Sequence, residues 1–367
     1  MLQNKNIIFA VTSLRRGGKE RQLTQLFAFI QAGNKCLITE RLNFNDNYLT
    51  EYKINSESII LLGETNFFKL VKKYRELIKQ KKPDIIFSWE VKPTVVFLIL
   101  SFFYNFILVN CSIRHGIRLW KIGQLFRSFV AWLSPFVIAN SRAGLHANNL
   151  KENEHNFVLY NGISYSFPSA KLDFTERAKA LQNIFDNSIT EQTTIFISVA
   201  NLVPYKDYFT ILTALASVKY DFRYLIIGDG PLRTKIENRI NELSLASKVK
   251  LLGKVKNTEE YLILADYYIH SSRGEGLSNS ILEAMFMGLP IISTNTGGTN
   301  ELVFDNSFKL FEYKNAARLS EILQNVHKYF KDFDPLSDDY KNHLSKFTFE
   351  SMTKNFENIL SKILRNE

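Results

Sequence analysis

Two glutamates, Glu275 and Glu283, stand eight residues apart in the stretch GEGLSNSILEAMFMGLP at positions 274–290. The first lies between glycines after an apolar strand pattern, and the second lies in the helix pattern that follows. In an open α/β sheet, ligands bind beyond the carboxyl ends of strands, where a helix N-terminus attracts phosphate. A carboxylate can accept two hydrogen bonds from a vicinal diol. The spacing fits a ligand with a diol, a diphosphate and a polyol; two solvated side chains are the alternative.

The elements around these glutamates repeat a strand–helix alternation twice along the chain. In the first half, NIIFAV and KCLITE indicate strands separated by the helical pattern ERQLTQLFAFIQAG. Continuous apolar runs are typical of parallel strands buried on both faces. A polar stretch at 168–192 is interpreted as an interdomain connection, after which TIFISVA, RYLIIGDG and YYIHSS predict a second set of strands. Two doubly wound α/β domains are therefore expected.

The longest apolar stretch is TVVFLILSFFYNFILV at 94–109. It is shorter than the roughly 20 residues that a membrane-spanning helix needs. We expect it to form a buried helix, a turn and a buried strand, and a membrane span is the alternative.

The charge of the chain, +10 in total, is concentrated in its first half. Residues 1–165 contain 22 Lys and Arg against 11 Asp and Glu, whereas the remainder carries a balance of −1. Such a basic half attracts anionic membranes, nucleic acids or phosphorylated substrates, and charge alone does not choose among them. The two cysteines, Cys36 and Cys111, have no metal-ligand spacing and suit a reducing cytoplasm.

The segment EGLSNSILEAMFMGLPIISTNTGGTNELV resembles the signature of retaining glycosyltransferases of family 4, with their E-x7-E motif at Glu275 and Glu283. Further similar pieces follow in the family's order, from LRRGGKERQL near the N-terminus to FTFESMTKNFENIL near the C-terminus. The resemblance implies two facing Rossmann-like domains of the GT-B type. It implies an acceptor-binding domain at 1–165, a donor-binding domain at 190–345 and a C-terminal helix, 346–367, that crosses back to the first domain.

The resemblance also implies roles for individual residues. Glu283 would hold the ribose, Glu275 the donor sugar, and Lys206 would neutralise the diphosphate. Other donor contacts would come from loop residues of both domains, namely Gly17, Gly18, Gly276, Leu277 and Ser278. His115 is the histidine expected to approach the donor sugar. Asn201 stands where the family usually has an arginine, and Arg273 or Arg114 could supply the missing charge.

The implied reaction moves a hexosyl group from a nucleoside-diphosphate sugar, expected to be UDP-linked, to a glycan acceptor with retention of configuration. No protein nucleophile is implied, because the leaving diphosphate can take the acceptor's proton. Neither a cofactor nor a metal is implied either, since fixed cations and helix amides would stabilise the developing negative charge. The one D-x-D triplet, at 332–334, is interpreted as a solvated loop. Two alternatives remain: a nucleotide-sugar epimerase of the same fold, and an inactive sugar-nucleotide-binding protein, which Asn201 would favour.

Two segments of the basic half could meet a membrane. IRLWKIGQLFRSFVAWLSPF at 117–136 mixes aromatic and basic residues, and KLVKKYRELIKQKK at 69–82 has a basic helical face. The alternative is that the aromatics belong to the core and the lysines to a solvated face. Because many family members use lipid-linked acceptors in surface polysaccharide synthesis (lipopolysaccharide, O-antigen or capsule), peripheral docking on the inner face of the cytoplasmic membrane is expected. No nucleic-acid-binding motif is present.

Overall fold

The computed structural model describes residues 2–43, 47–118, 122–164, 172–186 and 188–365. The chain divides into two compact units, Met1–Gly162 with Phe349–Glu367, and Ile163–Thr348. Each unit is built on one parallel sheet. The predicted fold class, doubly wound Rossmann-like domains, is confirmed.

The strands are short and mostly buried, as continuous apolar runs predict for parallel sheets. In chain order they are β1 (Asn6–Leu14), β2 (Asn34–Leu42), β3 (Ile59–Leu61), β4 (Ile85–Ser88), β5 (Ile107–Asn110), β6 (Phe136–Ala139), β7 (Asn156–Val158), β8 (Thr194–Val199), β9 (Phe222–Ile227), β10 (Val249–Gly253), β11 (Tyr267–His270), β12 (Ile291–Thr294) and β13 (Phe308–Phe311).

The helices connect successive strands, and short 3-10 turns complete the chain. The helices are α1 (Gly18–Phe29), α2 (Phe67–Lys81), α3 (Val91–Ser101), α4 (Ile122–Leu133), α5 (Arg142–Ala147), α6 (Phe174–Phe185), α7 (Tyr208–Leu215), α8 (Arg233–Glu242), α9 (Glu259–Leu262), α10 (Asn279–Phe286), α11 (Ala316–Gln324), α12 (Val326–Tyr329), α13 (Asp338–Ser345) and α14 (Phe349–Arg365).

The first sheet has the strand order β3-β2-β1-β4-β5-β6-β7, so the order reverses between β1 and β4. On one face, α1 and α14 share a core with the strands, in which Phe356 of α14 packs 5.3 Å from Phe87 of β4, ring centre to ring centre. The C-terminal helix therefore packs on the first unit, as predicted. On the other face, α2 and α3 bury Tyr74 and Phe97 against the sheet.

The long apolar stretch at 94–109 folds as expected. The helix α3 ends at Ser101, and the buried strand β5 begins at Ile107. Within the described ranges, no helix combines the length and apolar character that crossing a bilayer would require.

The second sheet has the order β10-β9-β8-β11-β12-β13, so its order reverses between β8 and β11. The described part of the stretch predicted to be a connection contains the helix α6. This helix belongs to the second unit, because Arg177 donates to the Leu264 carbonyl at 2.9 Å and pairs with Asp266 at 2.7 Å. Its buried residues Ala178, Leu181 and Phe185 recur at helical spacing, so the stretch has the pattern of an amphipathic helix although it lacks a strand pattern.

Candidate functional site at the carboxyl edge of the second sheet

Two loops meet where the strand order of the second sheet reverses. The loop at 200–207 follows β8, and the loop at 271–278 follows β11. Their backbones are joined, because the Asp207 amide donates to the Ser271 carbonyl at 3.0 Å and the Arg273 amide donates to the Tyr205 carbonyl at 2.9 Å. This is the position at which open α/β sheets bind ligands.

A glycine pair after β12 holds the turn that carries Glu275. Gly297 has a φ of +56°, and a Cβ there would lie 2.0 Å from the Glu275 carbonyl oxygen. The Gly298 amide donates to the same oxygen at 3.0 Å. The Thr294 hydroxyl donates to the Ser272 carbonyl at 2.9 Å. Only glycine fits at 297, so the glycine pair fixes the backbone of Glu275.

Lys206, His270 and Glu275 form a cluster between the two loops. The Lys206 ammonium is ion-paired with the Glu275 carboxylate, and its Nζ lies 3.1 Å from His270 Nε2. The same His270 atom is 3.5 Å from Glu275 Oε1. Lys206 and His270 are buried, whereas Glu275 keeps 19% of its side chain exposed. A charge pair that faces the open edge of the sheet is thus largely removed from water.

Burial governs the protonation of this cluster. It lowers the pKa of Lys206 to about 7, because an ammonium loses its hydration inside the protein. Burial, and then the charge of Lys206, lower the pKa of His270 well below its usual value. A neutral His270 can accept a hydrogen bond from Lys206 through Nε2.

The structure brings together two residues predicted separately, Lys206 and Glu275, and adds one that the sequence analysis passed over. His270 ends β11, one position before the loop, and a strand-terminal histidine at the reversal of strand order was the available signal. Its alignment with Lys206, seven residues after the end of β8, depends on the pairing of β8 with β11, which cannot be read from the sequence.

Glu283 lies on α10 and is buried. Its charge helps to raise the pKa of Tyr268, on the neighbouring strand β11, above its usual range, although burial is the larger cause. The alternative that Glu283 is solvated on a helix face is therefore wrong. Gly276, Leu277 and Ser278, which precede α10, are also buried. Ser278 occupies the N-cap position, yet its side chain makes no capping hydrogen bond with the helix.

Asn201 and Arg273 are exposed on the two joined loops. Arg273 therefore stands on the same edge as Lys206, as a replacement for the missing family arginine would require. Arg114 belongs to the first unit, where its guanidinium lies 4.1 Å from the Trp89 ring centre and donates to Asn161 Oδ1 at 3.3 Å.

The residues predicted in the first unit lie at the carboxyl edge of its own sheet. Gly17 precedes α1, and a Cβ there would come within 2.5 Å of Glu20 Oε2. Gly18 is the first residue of that helix. Lys19 pairs with Glu90, which follows β4 across the reversal of strand order.

His115 lies in the loop after β5 with an exposed side chain. Partial desolvation lowers its pKa first, and the charges of Arg127 and Lys19 lower it further. His115 is thus expected to be neutral near pH 7.

The D-x-D triplet lies in the turn between α12 and α13, and Asp332 is exposed there. Across the described residues, no group of three or more His, Cys, Asp or Glu side chains is arranged to hold a metal ion. Metal independence stays a prediction.

Comparisons with known proteins agree with this geometry. Residues 181–330 match the family of glycosyl transferases group 1. The chain is 24% identical over 318 residues to the N-acetylgalactosamine-N,N'-diacetylbacillosaminyl-diphospho-undecaprenol 4-alpha-N-acetylgalactosaminyltransferase of Campylobacter jejuni, covering 82% of this chain and 84% of that one. It is 23% identical over 313 residues to the O-antigen biosynthesis glycosyltransferase WclY of Escherichia coli, covering 78% and 81%.

A solved structure supports the fold along nearly the whole chain. It is Anabaena Alr3699/HepE in complex with UDP and glucose, with a TM-score of 0.78, 21% identity, and coverage of 98% of this chain and 100% of that one. The fold is that of GT-B glycosyltransferases, and the two relatives described above are glycosyltransferases, one of them named for O-antigen biosynthesis.

Proposed function

We propose that this chain is a retaining glycosyltransferase that moves a hexosyl group from a UDP-linked sugar to a lipid-linked glycan in bacterial surface polysaccharide synthesis. The buried cluster of Lys206, His270 and Glu275 at the reversal of the second sheet carries this proposal. It places a cation and a carboxylate beside the N-terminus of α10, where a diphosphate and a sugar can be held in series.

The cluster would bind the donor by exchanging partners. In the structure, the Lys206 ammonium is paired with Glu275. A diphosphate at the start of α10 would take over the ammonium and accept hydrogen bonds from amides of the first helical turn. Glu275 would then be released to accept hydrogen bonds from the sugar hydroxyls, while Glu283 accepts those of the ribose.

Transfer would break the bond between the anomeric carbon and the diphosphate, which leaves with the electron pair. The acceptor hydroxyl would form the new bond on the same face, and its proton would pass to the leaving diphosphate oxygen. Lys206 and the helix amides would stabilise the developing negative charge. His115 keeps the role that the family resemblance implies, a contact with the donor sugar. Neither metal nor cofactor is invoked.

The lipid-linked acceptor and the location are proposed on two grounds. The Campylobacter jejuni relative is named for a diphospho-undecaprenol substrate. The excess positive charge of residues 1–165 suits the diphosphate of such an acceptor and an anionic bilayer. We therefore place the protein on the cytoplasmic face of the inner membrane as a peripheral protein.

Product formation with purified protein tests the proposal. A panel of nucleotide sugars is first screened by thermal shift, since a donor at 100 times its Kd stabilises the fold by about 2.7 kcal/mol. The stabilising donor is then incubated with and without a lipid-diphosphate-linked glycan. Acceptor-dependent product with a retained anomeric configuration is expected. Interconversion of free nucleotide sugars would identify an epimerase, and stabilisation without turnover would identify a binding protein.

A further inference from the structure

The helix α4 is oriented with its apolar side outward. Its large apolar residues recur on one helical face and are exposed, with Ile122 at 87% and Trp132 at 69% of their surface. The others on this face are Leu125, Phe126, Phe129 and Leu133. A surface helix of a globular protein normally turns its apolar stripe toward the core.

The inward side of α4 carries polar groups and small apolar residues, Val130 and Ala131, which are buried. Gln124 is buried and donates to Asn148 Oδ1 at 3.1 Å. The Ser128 hydroxyl donates to the same oxygen at 3.1 Å. These two hydrogen bonds and the burial of Val130 and Ala131 fix the rotation of the helix, because turning the large apolar side inward would break the bonds and expose both side chains. The alternative that the aromatics of this segment belong to the core is wrong for Phe126, Phe129 and Trp132, which are exposed. Trp120 lies outside the described residues.

The neighbouring helix α3 continues the same apolar surface. Ile99, Phe102 and Phe103, at and just after its C-terminus, are exposed, Phe102 to 86%. The helices α3 and α4 pack side by side. We call these nine exposed side chains on α3 and α4 the α3–α4 apolar face. They are nine of the fourteen large apolar side chains exposed in the described part of the chain, so the exposure is concentrated here.

The charge around this face indicates what covers it. Residues 91–151 contain seven Lys and Arg and not a single Asp or Glu. Arg127 on α4 and Arg118 just before it are exposed. A second copy of the chain would bring the same positive charge to the contact, which is unfavourable. A bilayer with anionic headgroups offers both an apolar interior and negative charge.

We infer that the α3–α4 apolar face docks on an anionic lipid bilayer by inserting its aromatic and aliphatic side chains between the headgroups. The inference deepens the proposed function, because a lipid-linked acceptor would be presented at such a surface. Of the two segments expected from the sequence to meet a membrane, it favours 117–136, which contains α4, over 69–82, which contains α2. Among the α2 lysines, Lys73 donates to the Leu62 carbonyl, and the one large apolar residue exposed on that helix is Phe68.

Vesicle co-sedimentation of the full chain tests the inference. The double variant Ile122→Ser/Trp132→Ser removes two strongly exposed side chains of the face. Its matched control, Phe68→Ser/Leu336→Ser, removes two apolar side chains exposed to 82% and 60% outside the face. We expect the wild type to prefer phosphatidylglycerol-containing vesicles over pure phosphatidylcholine vesicles. The partition coefficient should fall at least tenfold in the face variant and less than twofold in the control.

Salt and fluorescence separate insertion from purely electrostatic attachment. Exposed charges are screened over about 8 Å at physiological salt, whereas apolar insertion is not screened. Part of the binding should therefore persist at 0.5 M NaCl, because salt screens the charges but leaves the burial of inserted side chains unchanged. Brominated lipids should quench tryptophan emission in the wild type and much less in Ile122→Ser/Phe129→Ser, which keeps Trp132 as the reporter on the face.

Several results would overturn the inference. One such result is that reversing the charges of Lys72 and Lys79 on α2 releases the protein from vesicles, while the variant Ile122→Ser/Trp132→Ser stays bound. Another is a wild-type dimer in light scattering that the face variant converts to monomer, without vesicle binding by either. Transfer to a short water-soluble acceptor is measured on the same proteins. If glycosyl transfer is retained but the wild type does not bind vesicles, only the docking inference is overturned. If the wild type binds vesicles but does not catalyse transfer, only the proposed function is overturned.

Discussion

The two sheets place a lysine–glutamate pair at the same topological position, yet in different surroundings. In the first unit, Lys19 follows β1 and pairs with Glu90, which follows β4. In the second unit, Lys206 follows β8 and pairs with Glu275, which follows β11. Each pair spans the point where its strand order reverses. The second lysine is exposed to 9% and the first to 26% of its side chain.

The difference lies in what else each carboxylate touches. Glu90 also accepts a hydrogen bond from the Thr12 amide at 2.6 Å, and Lys19 lowers the pKa of Glu90 against the opposing effect of its burial. Glu275 has the neutral His270 as its second neighbour and faces a helix N-terminus. The Lys19–Glu90 pair therefore joins the chain segments that follow β1 and β4. The Lys206–Glu275 pair is less exposed to water, and under the proposed function an incoming anion would replace Glu275 as the partner of Lys206. The two pairs therefore differ in burial and not in their position in the sheet topology.

Removing the lysines should separate the two pairs most clearly. Lys206→Met should raise the Kd of the nucleotide sugar by on the order of 100-fold, because a charge-assisted contact is lost and a buried carboxylate is left without its counter-ion. Lys19→Met should change it less than about fivefold, because a partly solvated pair contributes about 1 kcal/mol or less. Isothermal titration measures both. Equal effects of the two variants would mean that the second pair is not the donor site.

Removing the two glutamates of the second unit should divide binding from turnover. Glu283→Ala should weaken nucleotide binding, and Glu275→Ala should mainly lower kcat. A lost hydrogen bond to a charged group costs about 1.5–3 kcal/mol, or roughly 10- to 150-fold. Steady-state kinetics and UDP titration on each variant measure the split, with Glu90→Ala as the control from the first unit. Negligible effects of both second-unit changes would return the pair to a purely structural role.

The pH dependence of donor binding should report the buried ammonium. Burial lowers the pKa of Lys206 to about 7, so the ammonium is fully charged below this pH and loses its proton as the pH rises. Affinity for a diphosphate should therefore be full below pH 7 and fall toward a limit of about tenfold per pH unit above it. The guanidinium of Lys206→Arg stays charged, and its affinity should be flat from pH 6 to 9. A flat wild-type profile would contradict this.

A smaller effect is expected from substitution of His270, the neighbour of the Lys206–Glu275 pair. His270→Leu keeps the volume buried but removes the acceptor of the Lys206 hydrogen bond. The donor KM should rise by up to about tenfold, since such a bond contributes about 0.5–1.5 kcal/mol, with kcat changed less. His270→Gln can still accept and should restore KM toward the wild type. Equal loss in both variants would indicate packing rather than positioning.

No effect is expected from chelation. If Lys206 and the helix amides stabilise the leaving diphosphate, excess EDTA should leave the initial rate unchanged. The rate is measured on the same preparation before and after EDTA, with added Mn2+ as the comparison. Loss of activity that Mn2+ restores would show that a metal carries part of the charge.

Much of the carboxyl edge of the second sheet could be predicted from the sequence. The strand that ends at His270, the glycine turn with Glu275 and the helix with Glu283 follow from local pattern, because apolar runs and turn residues are short-range signals. The family resemblance singled out Lys206. The sequence left open whether Glu283 is buried, because an acidic residue on a helix is usually solvated, and tertiary packing placed it inside.

Local order along the chain determined the two doubly wound domains and the loops that follow β8 and β11. Only the tertiary structure decided which side chains meet there and which way α4 faces. His270 reaches Lys206 because strand pairing sets β11 beside β8, a contact between residues 64 positions apart. The pattern of α4 predicts two unlike faces, but not which one is inside. Asn148 Oδ1 accepts hydrogen bonds from Gln124 and Ser128, and Val130 and Ala131 are buried on the same side, which leaves the larger apolar side exposed.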